Sequence, residues 1–126
     1  MKSLTTILFA AIVMIVCSCK KDSSYNNQSL LGKWTLTETY VGNGGPGTWT
    51  KVSVAANVQF DPNGALEGSA FPGYSRYTIK DSTTVVFTKQ DNTTQNYAYR
   101  FNNGFLEMSP TGPVFCIEGC GLRFSR

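Results

Sequence analysis

Among the side chains that carry most protein chemistry, one is missing here: the 126-residue sequence contains no histidine. That removes Ser–His and Cys–His nucleophile pairs, HExxH motifs and mixed Cys/His zinc sites together. Catalysis would have to run on carboxylates, a lysine or a tyrosine. The acidic residues beyond Asp22 are Glu38, Asp61, Glu67, Asp81, Asp91, Glu107 and Glu118. Asp61, Asp81 and Asp91 sit in turn segments, where a short carboxylate bonds to its own backbone. Glu67 and Glu107, facing each other inside a barrel with Glu38 nearby, are the set from which a glycosidase-type acid/base pair would be drawn. No spacing singles them out, so the chain is expected not to be an enzyme and to hold neither cofactor nor metal. Cys116-Ile117-Glu118-Gly119-Cys120 brackets a glycine with two thiols. A disulfide across a tight turn, a redox-active pair and a two-Cys metal site are all open to it, the last without further ligands. Tyrosines, with Tyr40, Tyr97 and Tyr99 foremost, could line a ligand site, although core packing is the commoner use of such residues.

The compartment these thiols meet is read from the first residues. Met1 to Ser18 opens with Lys2 and continues as an apolar run from Leu4 to Val16. A bilayer span takes ~20 apolar residues, so the run is read as a secretory leader covering residues 1–18. Val16-Cys17-Ser18-Cys19 resembles the lipobox of bacterial lipoproteins, with an aliphatic residue three before the cysteine and a small one just before it. That resemblance implies cleavage before Cys19, a diacylglycerol on its sulfur and acylation of the new amine, palmitate being the usual kind of chain. Cys17 is set aside because Val16 precedes it. Several chains at ~0.8 kcal/mol per buried CH₂ make a durable anchor. Lys20, with Lys21-Asp22 behind it, resembles the sorting residues of lipoproteins sent to the outer membrane, on the periplasmic face or at the cell surface. An exported chain meets oxidising conditions, which favours the disulfide between Cys116 and Cys120, worth ~2 kcal/mol by chain entropy for so short a loop.

Lipidated Cys19 and the polar run to residue 29 form a flexible tether, and residues 30–126 form the single folded domain. The formal charge is +3 and the basic residues are scattered beyond Lys20-Lys21, so nucleic acid is not an expected partner. In the stretch from Leu30 to Tyr40, Trp34, Leu36 and Tyr40 share one parity, the mark of a half-buried strand. Glu38 falls on that apolar side, where a bulge or strand end would turn it outward and a cavity would keep it in. Four glycines between Gly42 and Gly47 predict a mobile loop. Val52, Val54, Ala56, Val58 and Phe60 alternate cleanly with polar or small residues. Further strands are expected over 65–71, 74–80, 83–88, 96–101, 105–109 and 114–126, separated by turns such as Asp61-Pro62-Asn63-Gly64 and Asn102-Asn103-Gly104. About eight short strands at roughly twelve-residue spacing, with no helical period, predict an all-β antiparallel meander closed into a barrel.

Gly32-Lys33-Trp34 on the first strand, followed by the glycine loop and the hairpin meander, resembles the lipocalin superfamily. More narrowly it is similar to the short lipocalin-like domains of bacterial outer-membrane lipoproteins, over roughly Leu30 to Arg126. The resemblance implies a barrel of about eight strands with Trp34 closing its floor beside Gly32. An arginine from the last strand, Arg123 or else Arg126, would lie across the Trp34 ring. It places the Gly42–Gly47 loop at the open mouth, and implies a small apolar or amphipathic ligand near Tyr40, Tyr97 and Tyr99. The folded part is much shorter than a standard lipocalin. The alternative is therefore a solid barrel that docks an envelope protein. The volume and lining of the interior separate the two.

Overall fold

The computed structural model describes residues 29–126. The leader, Cys19 and the tether up to residue 28 lie outside the described residues. Within them the chain is all-β, as the alternation and turn spacing predict. Its strands are β1 (Gly32–Val41), β2 (Thr48–Phe60), β3 (Leu66–Glu67), β4 (Tyr74–Ile79), β5 (Thr84–Lys89), β6 (Thr94–Asn102), β7 (Phe105–Gly112) and β8 (Cys120–Ser125). All pairings are antiparallel, in the order β3-β2-β1-β8-β7-β6-β5-β4. The first and last strands pair, from Thr35 opposite Ser125 to Val41 opposite Cys120. This bends the meander into a nearly closed barrel, which leaves little free edge. The remaining seam, between β3 and β4, is held by a bridge from Ala65 to Arg76 and by the Tyr77 N–H donating to the Gly64 carbonyl at 2.9 Å.

The interior is filled. Trp34, Phe60, Phe87, Phe124, Leu106, Met108, Val58 and Val85 are each under 2 % exposed. Phe71 enters from the connection between β3 and β4. Its ring lies 4.7 Å from Phe87, 5.1 Å from Tyr97 and 5.9 Å from Phe124, in edge-on and tilted contacts. Aromatic pairs of this kind contribute about 0.5–1.5 kcal/mol each beyond their buried area. An eight-stranded barrel is just wide enough for side chains to fill it, and here they do.

Three sequence expectations change. The strand expected over 65–71 pairs only at Leu66 and Glu67, because the chain then leaves the sheet to carry Phe71 inside. The alternation from Val52 to Phe60 buries Val58 and Phe60 but leaves Val54 77 % exposed. The reason lies in the pairing: Leu36 faces Ala56 while Glu38 faces Lys51, so β2 carries residues 52–55 opposite Thr37 alone and bulges out of the ladder there. The expected strand over 114–126 forms only from Cys120; the part before it is a loop stapled by the Cys116–Cys120 disulfide, with Cα atoms 5.9 Å apart.

The floor forms around Trp34. Its Nε1–H donates to the Leu30 carbonyl at 2.9 Å, satisfying the one polar atom of a buried indole. Arg126, not Arg123, lies over the ring, 4.3 Å from its centroid, and its Nη2 donates to the Ser29 carbonyl at 2.7 Å. Gly32 stands at φ 101°, and a Cβ there would meet Arg126 Nη1 at 3.0 Å, so the glycine makes room for this arginine. Arg123 is excluded by parity. It alternates with inward Phe124 and Leu122, and therefore projects from the outer wall. At the opposite end the Gly42–Gly47 loop is tied down: the Gly42 N–H donates to the Gly119 carbonyl at 3.1 Å, and the Gly47 N–H to Tyr40 Oη at 3.0 Å.

Candidate functional site

The site is set by what the bulge in β1 does to side-chain direction. Trp34 and Leu36 point inward, Leu36 opposite Phe124; the register then slips at Thr37, and Glu38 faces Arg123 instead. One inserted residue moves Glu38 and Tyr40 from the core face to the outer wall. There Glu38 joins a row of alternating charge across five strands. Arg100 on β6 faces Glu107 on β7, which faces Arg123 on β8, which faces Glu38 on β1, which faces Lys51 on β2. Opposite charges directly across a ladder are favourable. The bonds are short: Arg100 Nε to Glu107 Oε2 is 2.6 Å, Arg123 Nη2 to Glu107 Oε1 is 2.8 Å, and Arg123 Nη1 to Glu38 Oε2 is 2.6 Å.

Glu107 is the centre of this row and is only 5 % exposed, although it is on the outside of the barrel. Burial pushes its carboxyl pKa up, but hydrogen bonds from Arg123, Arg100 and Asn102 outweigh that and hold it below the usual carboxylate value. Burial pulls Arg123 down, and its bonds to Glu107 and Glu38 bring it back above its ordinary value. The guanidinium also stacks 3.8 Å from the centroid of Trp49, a cation–π contact. Trp49 in turn lies 5.4 Å from Tyr40, ring to ring.

The next row toward the glycine loop is made of small residues. Ala98 faces Ser109, and Gly121 faces Tyr40, which faces Trp49. A Cβ on Gly121 would meet the Trp49 ring at 3.0 Å, so glycine lets the indole lie against the strand. Small residues beside large ones leave a hollow of about 680 Å³ on the outer wall. Its floor is Ala98 and Ser109, with Gly121 beneath the Trp49 ring. Tyr40 and Trp49 form one wall, Thr83 and the β6 strand at Tyr99 the other, Arg100 and Glu107 one rim, and Gly119 and Cys120 of the stapled loop the opposite rim.

The structure therefore divides the residues named from sequence. Tyr40 lines this cleft, and Tyr99 borders it from a strand position whose ring packs beside Phe101 on the core side; Tyr97 does not reach it, because its ring is packed against Phe71 and Phe87 inside the barrel. Burial raises the pKa of Tyr97, with Tyr74 adding to it; burial, helped by Asp81, also raises that of Tyr99. Gly32 and Trp34 belong to the floor, and Arg123 belongs to the cleft's charge row instead. Cys116 and Cys120 are disulfide-bonded and shape the rim. Glu107 and Glu38 meet around Arg123 on the outer wall, while Glu67 sits exposed on β3 opposite Gln59, so the three do not converge inside the barrel. A proton-donating partner for glycoside chemistry needs a raised pKa, and Glu107 is shifted the other way. Among the described residues no three Cys, Asp or Glu side chains gather as metal ligands would. Sequence reading passed over Arg100, Ser109 and Gly121, whose neighbouring rows depend on the register of three strands. Trp49 carries no signal of its own in the sequence; its place beside Tyr40 follows from the β1–β2 register.

Fold and site together define a small antiparallel barrel with a filled interior and a polar–aromatic cleft on its outer wall. The chain matches no family model, no curated protein and no solved structure.

Proposed function

We propose that this chain is a non-catalytic binding module of the cell envelope, held to the outer membrane by lipid at Cys19, that takes a small amphipathic molecule on its outer wall. What supports the binding half is the contrast between a barrel interior occupied by Phe60, Phe71, Phe87 and Phe124 and a cleft of about 680 Å³ outside it. That size falls in the range of roughly 300–1,000 Å³ usual for small-molecule sites, which combine apolar and aromatic lining with a few placed polar groups. The cleft has that mixture in Tyr40, Trp49, Ser109, Arg100 and Glu107. Titration with Nile red, a neutral amphipathic dye, tests the location. Ser109→Phe, which fills the floor, is expected to weaken dye binding at least about tenfold, equivalent to ~1.4 kcal/mol. Unchanged binding, with dye contacts to Phe87 and Tyr97 in nuclear Overhauser spectra, would return the ligand to the lumen.

The anchoring half rests on Val16-Cys17-Ser18-Cys19. Cells fed labelled palmitate are expected to label the full chain and not its Cys19→Ala variant. Equal labelling of the two would sink the assignment of Cys19.

A further inference from the structure

The charge row is unbalanced at its cleft end. Along it stand three cations, Arg100, Arg123 and Lys51, against two carboxylates, Glu107 and Glu38. Arg123 uses all three guanidinium nitrogens, Nε and Nη2 toward Glu107 and Nη1 toward Glu38, with its face closed by Trp49. Arg100 uses only Nε, toward Glu107 Oε2. Its two terminal nitrogens make no hydrogen bond among the described residues, and its side chain is 72 % exposed at the edge of the cleft. Glu107 thus engages Arg100 through one nitrogen and leaves the outer fork free. A planar fork with paired N–H donors is matched by a carboxylate, which accepts two parallel bonds from it.

What adjoins the fork narrows the rest of the ligand. Ala98 and Ser109 project little, and Gly121 lets Trp49 lie down against the strand beside them, so the floor is flat. Tyr40 and Trp49 stand at one end of it with their rings 5.4 Å apart. A flat floor ended by aromatic rings suits a ring better than a long chain. We infer that the cleft binds a small ring-shaped molecule bearing a carboxylate, the ring over Ala98 and Ser109 beside Trp49 and the carboxylate on the free fork of Arg100. This rests on the wall-cleft reading above and gives it a ligand class. Sugar acids and aromatic acids share that chemistry, and the test separates them.

The chain has two tryptophans: Trp34 is buried in the floor with its N–H bonded to Leu30, and Trp49 lines the cleft. Their two indole N–H signals in a ¹⁵N-correlated spectrum therefore report the site and an internal control. The probes are two matched pairs, galacturonate with galactose and benzoate with benzyl alcohol. In at least one pair the acid is expected to shift the Trp49 signal saturably while Trp34 stays in place. Its neutral partner should bind at least about tenfold more weakly, ~1.4 kcal/mol. Arg100→Gln, an exposed change that leaves Glu107 on Arg123, should reduce the acid to the level of its neutral partner with the Trp34 signal unmoved. Which pair responds assigns the ring as saccharide or aromatic. Neutral partners that bind as well as the acids, or a preference that survives Arg100→Gln, would overturn the inference and leave the wall cleft standing. Absence of any saturable Trp49 shift would also overturn it, and the dye titration then decides separately whether the wall cleft itself stands.

Discussion

Glu107 sits on the outside of a barrel yet is nearly inaccessible to water, and that position dictates how the wall responds to acid. Its carboxylate accepts from Arg123, Arg100 and Asn102, so its proton affinity in the folded state is lower than in the unfolded chain. For a group with a depressed folded pKa, the stabilisation is complete above the ordinary carboxylate range. It is lost as pH falls through that range toward the lower folded value. Glu107→Gln is expected to lower stability at neutral pH by about 1–3 kcal/mol, the usual cost of losing charged hydrogen bonds at a buried site. It should also flatten the decline on acidification. Urea unfolding at a series of pH values measures both, and a variant as acid-sensitive as the parent would place the dependence elsewhere. Only part of this row was legible from sequence. Glu38 was visible as an acidic residue on an apolar parity, for which a bulge is the physical remedy, and the bulge at Thr37 is there. Arg123 was legible as a residue that stacks on an indole, but on the wrong one, since Trp34 and Trp49 lie on opposite faces of the wall.

Among the elements, legibility follows how local the controlling force is. Turns set by residue chemistry, Asn102-Asn103-Gly104 above all, fall where expected, with Asn103 and Gly104 at positive φ of 50° and 83°. Asp81 and Asp91 fall in turns for the expected reason as well: each accepts from both the backbone N–H and the hydroxyl of the threonine two residues on. Those bonds hold both carboxyls below their ordinary value. The strands β4 to β7 keep their predicted cores because alternation and turns agree there. What fails is what depends on a neighbouring strand. The regular Val52 to Phe60 pattern gives no sign that β2 must absorb extra residues against β1, and so puts Val54 inside. Phe71 resembles the end of a strand, yet its apolar ring contributes more as the interior's plug than as a member of the sheet.

For the whole molecule, the decisive feature is the interior, which among the described residues is occupied by Phe60, Phe71, Phe87 and Phe124. Strand spacing predicted the barrel, and the resemblance to lipocalins implied an arginine across Trp34, a position that Arg126 holds. The place where that superfamily would hold a ligand is instead core. The cleft belongs to the outer wall because a barrel this small has only its outside left for recognition. The β1–β8 pairing brings Ser29 and Arg126 together at the floor, joined by the Arg126 Nη2 bond to the Ser29 carbonyl. Around the barrel, then, the strands form a near-continuous ring in which no strand need come first. Residues 29–126 joined end to end by a short glycine-serine linker, and reopened between Gly44 and Gly45 where a Cβ would touch nothing within 4 Å, should fold as a circular permutant. Its unfolding is expected to remain cooperative, with the Trp34 indole N–H signal where the parent has it. A permutant that stays unfolded would mean that the β1–β2 hairpin, severed by the new opening, has to form before the ring can close.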